Sequence, residues 1–121
     1  MAEHNDLGKV GEHLALEYLE KEGYAILETN WRYGKNEVDI IAYLEGIIVF
    51  VEVKTRTSTD YGNPEDAVDI KKQRIYIRMA NHYVIKQNRS EEVRFDIISI
   101  VFNNLSDVQL THIPNAFNTI N

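Results

Sequence analysis

Hydrophobic residues in the first half of the chain repeat at helical spacing and then change to the pattern of strands. Over residues 6–22 they recur every three or four positions, which predicts an amphipathic helix that ends at Gly23. Strands are predicted over residues 24–32, 37–44 and 47–55, because β-branched and aromatic residues dominate there and turn-forming residues separate the segments. The first half is therefore expected to be one helix followed by three strands.

The second half repeats this change from helix to strand. Residues 58–64 are polar and contain glycine and proline, so they are expected to form a loop that borders a site. A helix is predicted to follow as far as about residue 87, with Asp69 as the N-cap of its main body. Residues 92–102 and 108–113 are predicted strands. The order α-β-β-β-α-β-β, without an internal repeat, predicts one α/β domain over residues 1–121.

The register of the central hairpin can be deduced from its short turn. Only residues 45–46 separate the second and third strands, which is typical of a tight hairpin. Pairing outward from this turn sets Asp39 opposite Glu52, and Glu37 opposite Lys54. Residues two apart share a face of a strand, so these four side chains are expected on one side, far from the turn.

Both faces of this hairpin are otherwise apolar, as in strands from the interior of a sheet. The face that carries the charges continues toward the turn with Ile41, Tyr43, Ile48 and Phe50. The opposite face is expected to consist of Val38, Ile40, Ala42, Val49, Val51 and Val53. The charges are therefore expected at the edge of the packed core.

Opposed carboxylates at this position need a compensating positive charge. Asp39 and Glu52 repel each other, and Lys54 can neutralise only one of the three acids. A hard divalent cation with oxygen ligands, magnesium or manganese, would balance the remainder. The alternative is a surface ion-pair network in which Glu37 binds Lys54 and no metal is held.

Composition limits where the protein acts and what it binds. No apolar run approaches the roughly 20 residues needed to cross a bilayer, and the first residues do not resemble a secretory signal, so a cytoplasmic location without membrane contact is expected. The formal net charge of −6 disfavours binding to nucleic acid. Residues 71–78, however, carry four bases and no acid, and Lys72 is the residue expected to contact phosphate. A solvated helix face is the alternative.

Several motifs together resemble a known family. Asp39 followed by Glu52-Val53-Lys54 on the partner strand resembles the D…(D/E)xK signature of the PD-(D/E)XK nuclease superfamily. The motifs around it are Gly8-x-x-Gly11-Glu12-x-x-Ala15-x-x-Tyr18-Leu19, Gly23-Tyr24, Asn30-Trp31-Arg32, Glu37-Val38-Asp39-Ile40-Ile41, Phe50-Val51-Glu52-Val53-Lys54-Thr55-Arg56, Lys72 and Arg94-Phe95-Asp96. Over nearly the whole chain they are similar to the YraN-like family of bacterial proteins, although residues 34–37 depart from its usual glycine-glutamate sequence.

The resemblance implies a restriction-endonuclease-like αβββαβ core, with a mixed central sheet flanked by two helices, as in archaeal Holliday-junction resolvases. It also implies that Asp39 and Glu52 ligate Mg²⁺ or Mn²⁺, that Lys54 orients the attacking water, and that Glu12 adds a carboxylate from the first helix. The residues expected to bind the substrate are Lys72 and Arg56. The small residues Gly8, Gly11 and Ala15 are expected to let that helix approach the sheet.

The expected function is hydrolysis of phosphodiester bonds in DNA, including branched or structured DNA, with a homodimer needed to cut both strands together. The alternative is an inactive adaptor of the same fold that binds nucleic acid or a protein. Trp31 and Tyr61 are candidates for base stacking, although packing is the expected role of each. Arg94 and Asp96 are expected to form a structural ion pair.

Overall fold

The computed structural model describes residues 2–58 and 68–118, with side chains from residue 6 onward. Its elements are α1 (Ala2–Lys21), β1 (Ala25–Tyr33), β2 (Asn36–Leu44), β3 (Ile47–Thr57), α2 (Ile70–Lys86), β4 (Glu92–Asn104) and β5 (Asp107–Phe117). The predicted order of helices and strands is therefore confirmed. The predicted loop over residues 58–64, apart from Ser58, lies outside the described residues, as does Tyr61.

The five strands form one mixed sheet in the order β1-β2-β3-β4-β5. Strands β3 and β4 are parallel and the other neighbouring pairs are antiparallel. A parallel pair needs a long crossover, and α2 lies between these two strands in sequence. The result is a mixed α/β fold with an αβββαβ core, extended by β5 at the edge beyond β4.

Two hydrophobic clusters cover the two faces of the sheet, one for each helix. On the α1 side, Ala15 and Leu19 pack against residues of the three central strands, and the buried members from the sheet are Ile40, Ala42, Val49, Val51, Ile98, Ile100 and Phe102. On the α2 side, the buried members are Val38, Ile41, Ile48, Phe50, Val68, Tyr76, Met79, Ala80, Tyr83, Phe95, Ile97 and Phe117. Because both faces are covered, residues 48–52 of β3 are buried.

The second helix begins where the sequence predicts. Asp69 has extended backbone geometry, and its Oδ1 atom accepts a hydrogen bond of 2.8 Å from the backbone N–H of Lys72. This N-cap satisfies one of the free amides of the first turn. It also sets the position at which Lys72 enters the helix, facing the sheet.

The turn between β2 and β3 fixes the register that the sequence predicts. Glu45 and Gly46 both have positive φ, 47° and 85°, as in type I′ hairpins. Pairing runs from Leu44 opposite Ile47 to Ile40 opposite Val51. There the paired ladder ends, although both strands continue.

The face predicted for Val38 is wrong. Val38 belongs to the cluster on the α2 side, whereas Ile40, two residues later, packs on the α1 side. The backbone is irregular at this level, since Asn30 in the neighbouring β1 has a φ of 50° and the β2–β3 ladder stops at Ile40. The regular alternation of a strand therefore fails around Asp39.

Neither helix of the described part of the chain combines the length and apolar character needed to cross a membrane.

We predict that Gly11→Ala destabilises the fold by about 1–3 kcal/mol, because a Cβ atom there would lie 2.1 Å from Oγ1 of Thr55 on β3. The same change at Gly8 is the matched control, since nothing lies within 4 Å of its Cβ position and alanine favours a helix. Urea unfolding measures both. The close approach to the sheet that was predicted for Gly8 is thus absent. A Gly8→Ala variant that is less stable than Gly11→Ala would contradict the conclusion that Gly11 is the point of close approach. Thr55→Ala is expected to restore part of the loss in Gly11→Ala.

Candidate active site

Two carboxyl groups meet where β2 and β3 cease to pair. Oδ2 of Asp39 accepts a hydrogen bond of 2.8 Å from the backbone N–H of Val53, so this side chain replaces the next bond of the ladder. Glu52 directly precedes Val53 on β3, and repulsion from its carboxylate raises the pKa of Asp39. The predicted juxtaposition of these two acids is therefore present, on the α2 side of β3.

The environment of Asp39 disfavours its ionised form. Burial is the largest cause, followed by repulsion from Glu52, and together they raise the pKa of Asp39 to about 8 although the hydrogen bond from Val53 opposes them. At neutral pH the protonated carboxyl of Asp39 can donate to the carboxylate of Glu52. The like-charge cost of this pair is then relieved by a bound proton.

Glu52 is nearly buried, with 7% of its surface exposed, and α2 supplies its partners. Nζ of Lys72 lies 2.5 Å from Oε2, and the hydroxyl of Tyr76 donates to Oε1. Burial and the adjacent carboxylates of Glu52 and Asp39 raise the pKa of Tyr76, so its hydroxyl stays protonated as a donor. One ammonium and one hydroxyl thus bind the two oxygens of Glu52.

Within the part of the chain that the structure describes, Lys54 does not form the ion pair with Glu37 that its register suggests. It lies two residues after Glu52 on β3, and its side chain is exposed. Among the described residues, Lys72 forms the ion pair with Glu52, and Glu37 pairs instead with Arg32 of β1 at 3.4 Å. The expected Glu37–Lys54 pair is wrong. The residues of β2 that precede Ile40 pair only with β1, so Glu37 is not held opposite Lys54.

Glu12 reaches the same region from α1. Its pKa is raised, first by burial and then by repulsion from Glu37 and Glu52, while a hydrogen bond with Asn30 opposes the increase. Repulsion from Glu12 in turn contributes to the raised pKa of Asp39. The first helix therefore brings a third carboxylate within electrostatic range of the pair.

The donor set suits a hard divalent cation, with two neighbouring carboxylates and one further away. Among residues 6–58 and 68–118, however, no three acids or histidines stand in ready ligating geometry. Asp39 and Glu52 are the preformed pair, while Glu12 and the pairing of Glu52 with Lys72 would have to adjust to complete a coordination shell.

The two residues expected to bind substrate differ in position. Lys72 lies in the site itself, in contact with Glu52, and its side chain remains 43% exposed. Arg56 is half-buried on β3, four residues after Glu52.

Tyr76 was not predicted as a site residue, because its spacing fits the apolar stripe of α2. The signal that could have found it is its place one helical turn after Lys72, on the same face.

A second polar cluster, on the α1 side of the sheet, is structural. The guanidinium of Arg94 donates two hydrogen bonds to Asp96, of 2.9 and 2.8 Å, which confirms the predicted ion pair. His112 lies 2.7 Å from the same carboxylate and the backbone N–H of Asn115 donates to it. Burial favours a higher pKa for Asp96, but these hydrogen bonds outweigh it and the pKa is lowered.

Fold and site together define an α/β domain in which two opposed carboxylates and a lysine meet at the point where two strands part. The model of the uncharacterised protein family UPF0102 matches residues 11–100, and the chain belongs to this family. A UPF0102 protein of Flavobacterium psychrophilum is 50% identical over 117 residues, covering 97% of this chain and 98% of the relative. Those of Persephonella marina and Bacteroides thetaiotaomicron are 50% and 46% identical over 111 and 117 residues, covering 91% and 97% of this chain and 91% and 96% of the relatives. The predicted YraN-like family is thereby confirmed.

Without divalent cation, we expect Asp39→Asn to stabilise the protein at high pH. The unfolded chain ionises Asp39 near 3.8 and the folded chain near 8, so the folded state binds more protons between these values and its stability falls as pH rises through them. An asparagine mimics the protonated carboxyl and removes this fall. The variant should unfold at higher urea concentration than wild type at pH 9, by about 1–3 kcal/mol, and at the same concentration near pH 4. Equal pH dependence of the two proteins would contradict the raised pKa.

We expect Asp96→Ala to lower the free energy of unfolding by about 3–5 kcal/mol, because it leaves the guanidinium of Arg94 without its buried partner. The lowered pKa of Asp96 means that its contribution is present above pH 3.8 and is lost as pH falls through the folded value. Thermal or urea unfolding measures the change. Glu17→Ala, which removes an exposed partner of His13, is the control and should change stability by no more than about 0.5 kcal/mol.

Proposed function

We propose that this chain is a metal-dependent nuclease of the PD-(D/E)XK superfamily that hydrolyses phosphodiester bonds in DNA, including branched or otherwise structured DNA. The observation that carries the proposal is the position of Asp39, whose Oδ2 accepts a hydrogen bond from the backbone N–H of Val53, the residue after Glu52, so that the two carboxyl groups repel each other. Two neighbouring acids inside a folded protein are costly, and a divalent cation removes that cost while creating a reactive site. Because bacterial DNA is the proposed substrate, we propose the cytoplasm as its location.

The residues fit a magnesium or manganese ion held by Asp39 and Glu52, with Glu12 completing the shell. Such an ion lowers the pKa of a water molecule and polarises a phosphoryl oxygen. Asp39 must lose its proton for this role, so cation binding releases a proton near neutral pH. Glu52 must likewise exchange its contact with Lys72 for the cation.

Two lysines then serve the phosphate. Lys54, exposed on β3 two residues after Glu52, can orient the attacking water or stabilise the charge that develops on the phosphoryl oxygens. Lys72, once released from Glu52, is free to donate to a non-bridging oxygen of the phosphate. The water oxygen forms the new bond to phosphorus as the bond to the leaving oxygen breaks, and that oxygen takes up a proton.

The second candidate function is an adaptor that binds nucleic acid or a protein without cutting. The observation that favours it is the complete pairing of Glu52 by Lys72 and Tyr76, which satisfies this carboxylate without a metal. The net charge of −6 also predicts weak, salt-sensitive binding to DNA.

A homodimer would be needed for a nuclease with one site per chain to cut both strands together.

We predict that the purified protein cleaves branched DNA in magnesium or manganese, and that Glu52→Gln and Asp39→Asn each lower the cleavage rate at least about a hundredfold, because each loses a charged ligand. Lys54→Ala is expected to cost about a hundredfold in the maximal rate. Single-stranded, duplex and four-way-junction DNA labelled at one end are incubated with each protein, and the products are separated by gel electrophoresis.

Glu17→Gln is the matched control, since this acid is exposed on α1 and pairs only loosely with His13 at 3.7 Å. It should cleave like wild type. Equal cleavage by wild type and Glu52→Gln would identify the activity as contamination. Absence of cleavage by every protein, together with binding of DNA by wild type, would favour the adaptor.

A further inference from the structure

Three aromatic rings form a continuous surface beside the candidate active site. Trp31 and Tyr33 lie two residues apart on β1 with their rings parallel, at an interplanar angle of 2° and a centroid distance of 6.3 Å. His82 of α2 lies against both, with centroids 4.3 Å from Tyr33 and 6.2 Å from Trp31. His82 is exposed and the other two are half-buried, so the rings are partly accessible to a ligand.

The core holds this aromatic surface in place from below. The ring of Tyr83 meets Trp31 edge-on at 5.2 Å, and Phe50 lies 5.8 Å from Tyr83 in the same manner. Both Tyr83 and Phe50 are buried. A preformed set of rings can bind a planar ligand with little loss of conformational entropy.

Positive charge lies along the same helix. α2 contains five lysines and arginines and no carboxylate, in a chain whose net charge is −6. Lys71, Arg74 and Arg78 are exposed, and Arg78 lies one turn before His82. The aromatic surface is therefore flanked by cations suited to the phosphates of a nucleic-acid strand.

The aromatic surface is also close to the paired acids. Trp31 is the partner of Val38 across β1 and β2, and Val38 directly precedes Asp39. Along α2, His82 follows Lys72 by ten residues, which corresponds to about 15 Å of helix. This separation corresponds to a few nucleotides of a single strand, so one strand can contact both places.

We propose that Trp31, Tyr33 and His82, with the cations of α2, bind unpaired nucleotides next to the cut. One or two bases stack on the rings, and the phosphates between them contact Lys71, Arg74 and Arg78. Bases within a continuous duplex are not available for such stacking, whereas those at a junction, flap or single-stranded end are. The location beside the cut rests on the proposed nuclease function, but the stacking does not.

Trp31 is the only tryptophan of the chain, so its fluorescence reports directly on the aromatic surface. The full-length Glu52→Gln protein is titrated in EDTA with oligothymidylate of about ten nucleotides and, separately, with a blunt duplex of the same length. We expect the single strand to quench Trp31 and the duplex to do so at least about tenfold more weakly. His82→Ala and Tyr33→Leu should each weaken the single-strand affinity by about tenfold.

Two further variants separate stacking from charge. Arg78→Gln should weaken binding and lower the slope of log affinity against log salt by about one, because it removes one phosphate contact. Ile85→Ala, an exposed change on the same helix without an aromatic ring, is the matched control and should bind like its parent. Circular dichroism checks that each variant is folded, and His82→Ala replaces an exposed side chain, which keeps the test usable if Tyr33→Leu unfolds.

Equal quenching by the duplex, equal quenching by an oligoglutamate peptide, or unchanged affinity in His82→Ala would each overturn the proposal. The titration contains no divalent cation and needs no cleavage, so its result is independent of the nuclease assay. A chain that binds single strands in this way but never cuts DNA would keep the stacking surface and lose the proposed function. A chain that cuts DNA without quenching of Trp31 would keep the proposed function and lose the stacking surface.

Discussion

The juxtaposition of Asp39 and Glu52 is the constraint on which the rest of this site depends. Two carboxyl groups can be neighbours at the edge of a buried sheet only if protons, cations or donors compensate their charge. Among the described residues, three polar groups serve this purpose: a backbone amide from Val53, an ammonium from Lys72 and a hydroxyl from Tyr76. The pair exists because the β2–β3 ladder ends there and frees Asp39 to bond with the opposite backbone instead.

The two helices contribute opposite charges to this point. α1 approaches closely at Gly11 and brings Glu12 toward the acids, while α2 brings Lys72 and a row of exposed bases. This separation would let a chain of net charge −6 present a basic surface to the strand that is proposed as its ligand. Under the proposed function, a cation at the acids and phosphate along α2 would assist each other, because the cation reduces the repulsion between the acids and the phosphate.

Much of the candidate site was readable from the sequence because it depends on local geometry. The two-residue turn at residues 45–46 sets the hairpin register, and that register places Asp39 against Glu52. The same reasoning failed for Lys54, which was expected to neutralise these acids. Lys72 does so instead, since the cation that reaches Glu52 comes from a helix whose packing on the sheet has no local signature. Tyr76 was missed for the same reason.

The sequence by itself determined the order of helices and strands, the central hairpin with its pair of acids, and the family. These features depend on hydrophobic periodicity, turn residues and short motifs, and each of those involves residues that are close together in sequence. Only the tertiary structure decided which helix covers which face, where the β2–β3 ladder stops, and which side chains meet Glu52. It also brought Trp31 and Tyr33 together with His82 from a distant segment. These contacts join residues far apart in sequence, and their geometry follows from how whole elements pack against one another, which no local pattern encodes.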